Sequence, residues 1–187
     1  ELERWIRFIC ESRGEPRWSM DSADAHLQTL CKAHFGTGGK RLRGLLPAAI
    51  VAEANGPVEA ALLFGACVEV IHNGTLVHDD IQDRDELRRG VETLWKRYGI
   101  AQALNVGDTL LVAPLFVLLR DPTIEEALRP ALTESLAHAL SETIRGQVAD
   151  VELRDQPTAN LEMAAAVARG KTAPLFCCAL EGAVLLL

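Results

Sequence analysis

From Pro57 to Asp83 the sequence reads PVEAALLFGACVEVIHNGTLVHDDIQD, with apolar residues recurring at three and four spacing and no proline after the first position. That period belongs to a helix, and so long and apolar a helix in a globular chain must have other helices wrapped around it. Pro57 suits the first turn, where its missing N–H is no loss. Leu62, Leu63, Ala66, Val70 and Leu76 supply apolar surface. The far end changes character. The stretch His72–Gly90, HNGTLVHDDIQDRDELRRG, sets Asp79, Asp80 and Asp83 just ahead of the pair Arg88-Arg89. On a helix Asp79 and Asp83 lie one turn apart and point the same way, and Asp80 is offset by about 100°. His72, seven residues before Asp79, returns to nearly the same face. Carboxylates at a helix C-terminus oppose the macrodipole, so this cluster is locally unfavourable. A hard divalent cation with a phosphorylated ligand relieves it. Mg2+ takes carboxylate and phosphate oxygens, and arginine pairs with phosphate through its fork.

Strand signals are weak along the rest of the chain, and the expected fold is all-α. A helix is expected over residues 1–12, closing near Gly14-Glu15-Pro16, and a second from Ser19 to His34, capped by Ser19 or Asp21. Phe35 to Gly39 breaks the pattern. A third helix runs from Lys40 to Ala54, stopped by Asn55-Gly56, and the long helix follows to Asp83. Arg84 to Glu92 reads as a loop. The next helix spans Leu94 to Leu119 with a break near Gly99, and Asp121-Pro122-Thr123 opens another that runs to Leu153. Gln156-Pro157-Thr158 punctuates, and Thr158 or Asn160 caps the last segment.

The chain of 187 residues is long enough for one domain with a sizeable core, and its net charge of −7 argues against a nucleic-acid partner. The longest apolar run, Leu110 to Leu119, is interrupted by Pro114 and is too short to span a bilayer. No secretory signal is visible, so no transmembrane segment and a cytoplasmic location are expected. Cys10, Cys31, Cys67, Cys177 and Cys178 are odd in number and lack a CxxC spacing, which reads as reduced, mostly buried thiols. The apolar ending Val184 to Leu187 suggests that the chain continues further.

Four more clusters draw attention. Gly38-Gly39-Lys40-Arg41-Leu42-Arg43 places glycines and basic side chains at a helix start, where free N–H groups favour an anion; alone it reads equally as a solvated basic helix start. Asn105-Val106-Gly107-Asp108 reads as structure, Asp108 as a buried hydrogen-bonding residue and Gly107 as a close helix contact. Gln147 and Asp150, in Gly146-Gln147-Val148-Ala149-Asp150, share a helix face. Lys171-Thr172 heads an apolar segment, where a single lysine is usually just solvated.

In this order the clusters resemble the trans-isoprenyl diphosphate synthase (polyprenyl synthetase) family, from Gly38 to about Leu187. GGKRLR is similar to its GGKRxRP block, HDDIQD to its first aspartate-rich motif DDxxD, and LRRG to the arginine pair that follows. TLWKRYGIAQALNVGD, the GQ-x-x-D pair and KT also fall in family order. The resemblance implies an isoprenoid-synthase-type helical bundle with a central cavity. It implies Mg2+-dependent condensation of isopentenyl diphosphate with an allylic diphosphate, and a homodimer. Residue by residue, it implies that Asp79, Asp80 and Asp83 ligate Mg2+ and that Arg88 contacts the allylic diphosphate. Lys40, Arg43, His72 and Arg89 would grip isopentenyl diphosphate. Lys171 and Thr172 would approach the allylic diphosphate, with Gln147 and Asp150 nearby.

Three departures stand out. Gly44 replaces the family proline after GGKRLR, which would loosen that helix start. Val91-Glu92-Thr93 stands where Arg-Pro-Thr is common. The second aspartate-rich motif is absent: the acidic residues after Val151 are Glu152, Asp155, Glu162 and Glu181, with no DDxxD. The reading is therefore a single domain over residues 1–187, the N-terminal two-thirds of the family pattern, truncated before that motif. Gly74 and Thr75, five and four before Asp79, are small where short-product members resemble one another in carrying bulky aromatics. A product of geranylgeranyl length or longer is expected, and Phe at either position should shorten it. Other readings are a non-catalytic regulatory or structural subunit, a class I terpene cyclase, and an HD-type metal phosphohydrolase using His78-Asp79 with His34 and Asp150.

Overall fold

The computed structural model describes residues 1–11, 21–154 and 160–187. Its elements are α1 (Leu2–Glu11), α2 (Asp21–Phe35), α3 (Leu42–Glu53), α4 (Val58–Asp83), β1 (Leu87–Arg88), β2 (Val91–Glu92), α5 (Leu94–Tyr98), α6 (Ile100–Arg120), α7 (Arg129–Arg154) and α8 (Leu161–Leu185). The expected helix stop at Gly14-Glu15-Pro16, the Ser19 cap, Asp155 and the Gln156-Pro157-Thr158 break lie outside the described residues.

The all-α expectation holds, and α4 is its axis. Leu63, Phe64, Ala66, Cys67, Val68, Val70 and Ile71 are fully enclosed, so this helix is surrounded on every side through its middle. Helices α1, α3, α6 and α8 pack around it, and α7 lies along α8. Enclosing each large side chain contributes about 1.5–3 kcal/mol, and Leu110, Leu118, Leu132, Leu136 and Leu175 extend the same core outward.

One polar network crosses this core. Glu69 Oε1 lies 3.5 Å from Arg41 Nη1 and accepts from Asn73 Nδ2 at 3.1 Å, and Glu69 Oε2 accepts from the Gly44 N–H at 3.3 Å. Arg41 also donates to Glu3 Oε1 at 2.9 Å and to the Phe35 carbonyl at 3.3 Å. Gly44 therefore does more than loosen a helix start. Proline has no N–H to give Glu69, and a Cβ built on Gly65 would lie 2.0 Å from the Gly44 carbonyl oxygen, so α3 and α4 meet here backbone to backbone.

Several boundaries differ from expectation. Arg84 to Glu92 contains a hairpin in which Leu87 pairs Glu92 and Arg88 pairs Val91. Its turn residues Arg89 and Gly90 have φ of 55° and 81°, the positive values a two-residue hairpin demands. Strands of two residues carry no period, which is why pattern reading passes over them. Asp121-Pro122-Thr123 makes a turn, the Thr123 N–H donating to Asp121 Oδ1 at 2.9 Å, and α7 starts only at Arg129. The break at Gly99 is present, with φ of 85°. Asn160 caps α8, its side chain accepting from the Met163 N–H at 2.9 Å. By length and composition both α4 and α6 could cross a bilayer, which the ten-residue run Leu110–Leu119 understated because alanine, glycine and threonine extend the apolar stretch. Of the apolar window in α4, 78% is buried inside the bundle, as for a core helix; in α6 the share is 44%.

Candidate active site

The C-terminal turns of α4 meet α7 and α8 because two glycines allow it. A Cβ built on Gly146 of α7 would lie 2.4 Å from the Gly170 carbonyl carbon of α8, so these helices touch through their backbones. The next residues, Gln147 and Lys171, are thereby brought to α4. Lys171 Nζ donates to Asp79 Oδ1 at 2.7 Å and to Asp150 Oδ2 at 3.0 Å. Arg154 pairs with Asp83 and, at 3.2 Å, with Asp150. Gln147 Nε2 donates to Gln82 Oε1 at 2.8 Å. Asp79, Asp83 and Asp150 thus form a ring stitched by two cations. Partial burial pushes the Lys171 ammonium down, but Asp79 and Asp150 outweigh it and hold Lys171 above the usual lysine range. Likewise partial burial pushes the Asp150 carboxyl up, but Lys171 and Arg154 hold it below the usual carboxylate range.

Asp80 is not in that ring. Its carboxylate is buried and accepts from Arg88 Nε at 2.7 Å and also from Nη2. Burial raises the Asp80 carboxyl, against the pull of Arg88. The hundred-degree offset on α4 is the reason: Asp79 and Asp83 face α7 and α8, whereas Asp80 faces the hairpin. Of the three aspartates expected to act together, Asp79 and Asp83 share a face and Asp80 is engaged by Arg88. Among the described residues, no three His, Cys, Asp or Glu side chains cluster in an arrangement suited to a metal. Asp79 and Asp83 fit Mg2+ in donor chemistry, two hard carboxylates one helical turn apart on one wall.

A second corner is basic. The Arg43 Nη1 atom lies 3.3 Å from His72 Nε2, and the Arg43 guanidinium sits 4.2 Å over the Phe176 ring. Arg89 presses on the chain at Gly39, where an added Cβ would stand 2.7 Å from Nη1, and Lys40 is exposed beside it. Burial, then Arg43, Arg89 and Arg88, push His72 down to about 3, so it is neutral at physiological pH. Arg41, from the same GGKRLR block, turns away into the core network. Sequence reasoning missed Phe176 and Arg154. Phe176 sits in an apolar run and looks like any core residue. Arg154 was findable, because it stands four residues after Asp150 on one helix.

Both corners open on one cavity of about 660 Å³. Arg43, His72, Asp79, Gln147, Lys171 and Thr172 line its polar part, and Thr75, Leu76, Leu111, Ile144 and Val148 its apolar part. The Thr75 hydroxyl donates to the His72 carbonyl at 2.7 Å. Gly74 does not line the cavity. It is buried against α6, where a Cβ would meet Leu111 Cδ2 at 2.9 Å and the Gly107 carbonyl at 3.1 Å. Of the two small residues before Asp79, Thr75 is the one that lines the cavity. His78 rests on Gly107, whose added Cβ would lie 2.2 Å from His78 Nε2, so the close contact expected at Gly107 is present. Asp108, expected to be buried, is exposed and reaches His78 Nε2 at 3.4 Å. His34, nominated with His78 for a metal site, instead contacts Asn73 Oδ1 at 3.1 Å within the core.

Residues 24–187 match the polyprenyl synthetase family. The chain is 36% identical over 183 residues to the (2E,6E)-farnesyl diphosphate synthase of Mycobacterium tuberculosis (strain ATCC 25618 / H37Rv), covering 91% of this chain and 50% of that one. It is 38% identical over 149 residues to a geranylgeranyl diphosphate synthase of Sulfolobus acidocaldarius, covering 76% of this chain and 43% of the relative. Its structure is similar to the crystal structure of geranylgeranyl pyrophosphate synthetase from Pyrococcus horikoshii Ot3, with a TM-score of 0.83 at 27% identity over 98% of this chain and 54% of that one. The chain spans about half the length of the curated relatives it matches.

Proposed function

The chain belongs to the polyprenyl synthetase family, and from that premise we propose that the protein is a prenyltransferase that condenses isopentenyl diphosphate with an allylic diphosphate. One observation carries this reading: Asp79 and Lys171 of the acidic ring and Arg43 and His72 of the basic corner line a single cavity that also presents an apolar stretch of Leu76, Leu111, Ile144, Val148 and Val151. Such a cavity suits two diphosphates and a growing hydrocarbon.

Asp79 and Asp83 are the residues that would hold Mg2+, whose charge neutralises the diphosphate leaving group as the allylic C–O bond breaks. Asp80 fixes the Arg88 fork, and Arg88 with Lys171 grips the allylic diphosphate. Lys40, Arg43 and Arg89 take isopentenyl diphosphate, and neutral His72 adds a hydrogen-bonding ring without competing for the anion. Asp150 positions Lys171, and Gln147 and Thr172 line the cavity beside it. The apolar wall keeps water from the allylic cation while the double bond of isopentenyl diphosphate attacks it. Residues 1–187 form one domain in this reading and supply one side of the site. A cytoplasmic homodimer fits the exposed stripe Ile100, Leu104, Val112, Phe116 and Leu119 on α6.

The product is assigned to twenty carbons or more, because Thr75 leaves the cavity unblocked below the aspartates. The test is incubation of the protein with Mg2+, isopentenyl diphosphate and geranyl or farnesyl diphosphate, followed by product chromatography. Elongated allylic diphosphates and released pyrophosphate are expected. Hydrolysis of the primer without consumption of isopentenyl diphosphate would overturn the reading.

A further inference from the structure

Arg43 differs from the other cations near the site in what holds it. Lys171, Arg88 and Arg154 each rest on a carboxylate. Arg41, in the same GGKRLR block, has Glu3 and Glu69. Arg43 lines the cavity with no carboxylate at ion-pair distance among the described residues. Its Nε–H is buried and meets no acceptor there. Two rings contact it instead. His72 Nε2 lies 3.3 Å from Arg43 Nη1, and the guanidinium carbon stands 4.2 Å from the centre of the Phe176 ring.

Helix α8 brings that ring to α3. Phe176 follows Lys171 by five residues, about 7.5 Å along the helix. One helix thus carries Lys171 to the aspartates of α4 and Phe176 to the basic corner. The ring does for Arg43 what a carboxylate could not. A carboxylate would cancel the charge and compete with an incoming diphosphate for the N–H groups. An aromatic face attracts a cation through its quadrupole and offers no competing oxygen. Phe176 therefore fixes the guanidinium and leaves its charge for an anion.

We propose that Phe176 is a positioning residue: its ring holds the Arg43 guanidinium in the pose that receives isopentenyl diphosphate, and so sets the affinity of that subsite rather than the rate of transfer. This rests on the reading that the basic corner takes isopentenyl diphosphate. Phe176 acts through Arg43 and not on the substrate itself.

The test compares Phe176→Leu, Phe176→Tyr and Arg43→Gln, with Phe176→Leu also placed in the Arg43→Gln background. Phe176→Leu removes the ring and keeps an apolar side chain. Its KM for isopentenyl diphosphate should rise by about fivefold or more, with kcat and the KM for the allylic diphosphate within about twofold. Phe176→Tyr should restore the original KM, and Phe176→Leu should add nothing once Arg43 is gone. An unchanged KM, a fall in kcat alone, an equal rise for both substrates, or a full further loss in the Arg43→Gln background would overturn the proposal. Site-specific fluorination of the Phe176 ring tests the same point without changing its shape, should Phe176→Leu fail to fold. The KM should climb with each added fluorine as the π-face weakens, and a flat series would overturn the proposal. Calorimetric binding of inorganic pyrophosphate without Mg2+ separates this proposal from the functional reading. If the wild-type protein transfers no isopentenyl unit, that reading falls. Pyrophosphate binding weakened by Phe176→Leu only when Arg43 is present would still support the ring's role, and unchanged binding would overturn it.

Discussion

Two groups of charged residues lie along α4, and they are built on opposite plans. The inner group, Glu69 with Arg41, Asn73 and Gly44, is closed: Arg41 and Glu69 side chains are 8% and 5% exposed and each is held by several partners. The outer group, Asp79, Asp83 and Asp150 with Lys171 and Arg154, reaches a cavity through Asp79 and Lys171, and its cations are 30% and 38% exposed. Burial with several partners from within the chain fits a structural role, because a ligand has no open approach to the pair. Cations that are part-solvated can exchange one carboxylate for another partner at small cost. The GGKRLR block is divided by the same rule, Arg41 going to the closed group while Lys40 and Arg43 stay open.

Breaking the closed group should cost most. Glu69→Ala leaves Arg41 buried with only Glu3 as a counter-charge, and strips acceptors from Asn73 and the Gly44 N–H. A loss of about 3–5 kcal/mol in urea unfolding is expected, toward the lower figure because Glu3 remains. A loss below about 1 kcal/mol would erase the distinction between the groups.

Asp79→Asn tests the open group with the opposite signature. Lys171 keeps Asp150, so stability should change by under about 1 kcal/mol. Isopentenyl transfer should fall by about a hundredfold or more, measured as product formed under saturating substrates. Asp80→Asn should act instead through Arg88, raising the concentration of allylic diphosphate needed.

A pH titration sharpens the closed side further. Burial, only partly offset by Asn73 and reinforced by Arg88, Arg41 and Arg89, pushes His34 down to about 4 from 6.5. The unfolded chain thus binds a proton that the folded chain refuses. Stability from this group is full above pH 6.5 and falls as pH drops toward 4, by up to about 3 kcal/mol. His34→Gln should flatten the dependence of the urea midpoint on pH in that window; an unchanged slope would place the titration elsewhere.

The helices were legible because their cores are long and periodic, as in Leu62 to Leu76. Helix breaks marked by Gly99 and the cap at Asn160 were legible for the same reason, since one residue type carries each signal. What stayed hidden depends on rotation and on partners. The DDxxD pattern names three aspartates, but the turn of α4 that sends Asp80 to Arg88 shows only when the hairpin is placed. Arg41 looks like its basic neighbours until Glu69 and Phe35 are seen to enclose it. The hairpin itself rests on the conformation of Arg89-Gly90, not on any run of strand-forming residues.

The smallest expected effect is the most discriminating, because adjacent residues fall on opposite sides of the comparison. Thr75 lines the cavity, whereas Gly74 is packed against Leu110 and Leu111 of α6. Thr75→Phe should put a ring into the apolar part of the cavity and shorten the main product by about one isoprene unit, with little loss of stability. Gly74→Phe should overpack the contact between α4 and α6, and its cost of about 1–3 kcal/mol or more should appear in unfolding. Any change in product from Gly74→Phe must then travel through Leu111, which lines the cavity and stands 2.9 Å from the added Cβ. Leu111→Ala in the Gly74→Phe background separates the two: restored stability with an unchanged product would assign Gly74 to packing alone, and a shortened product with full stability would return it to the cavity wall.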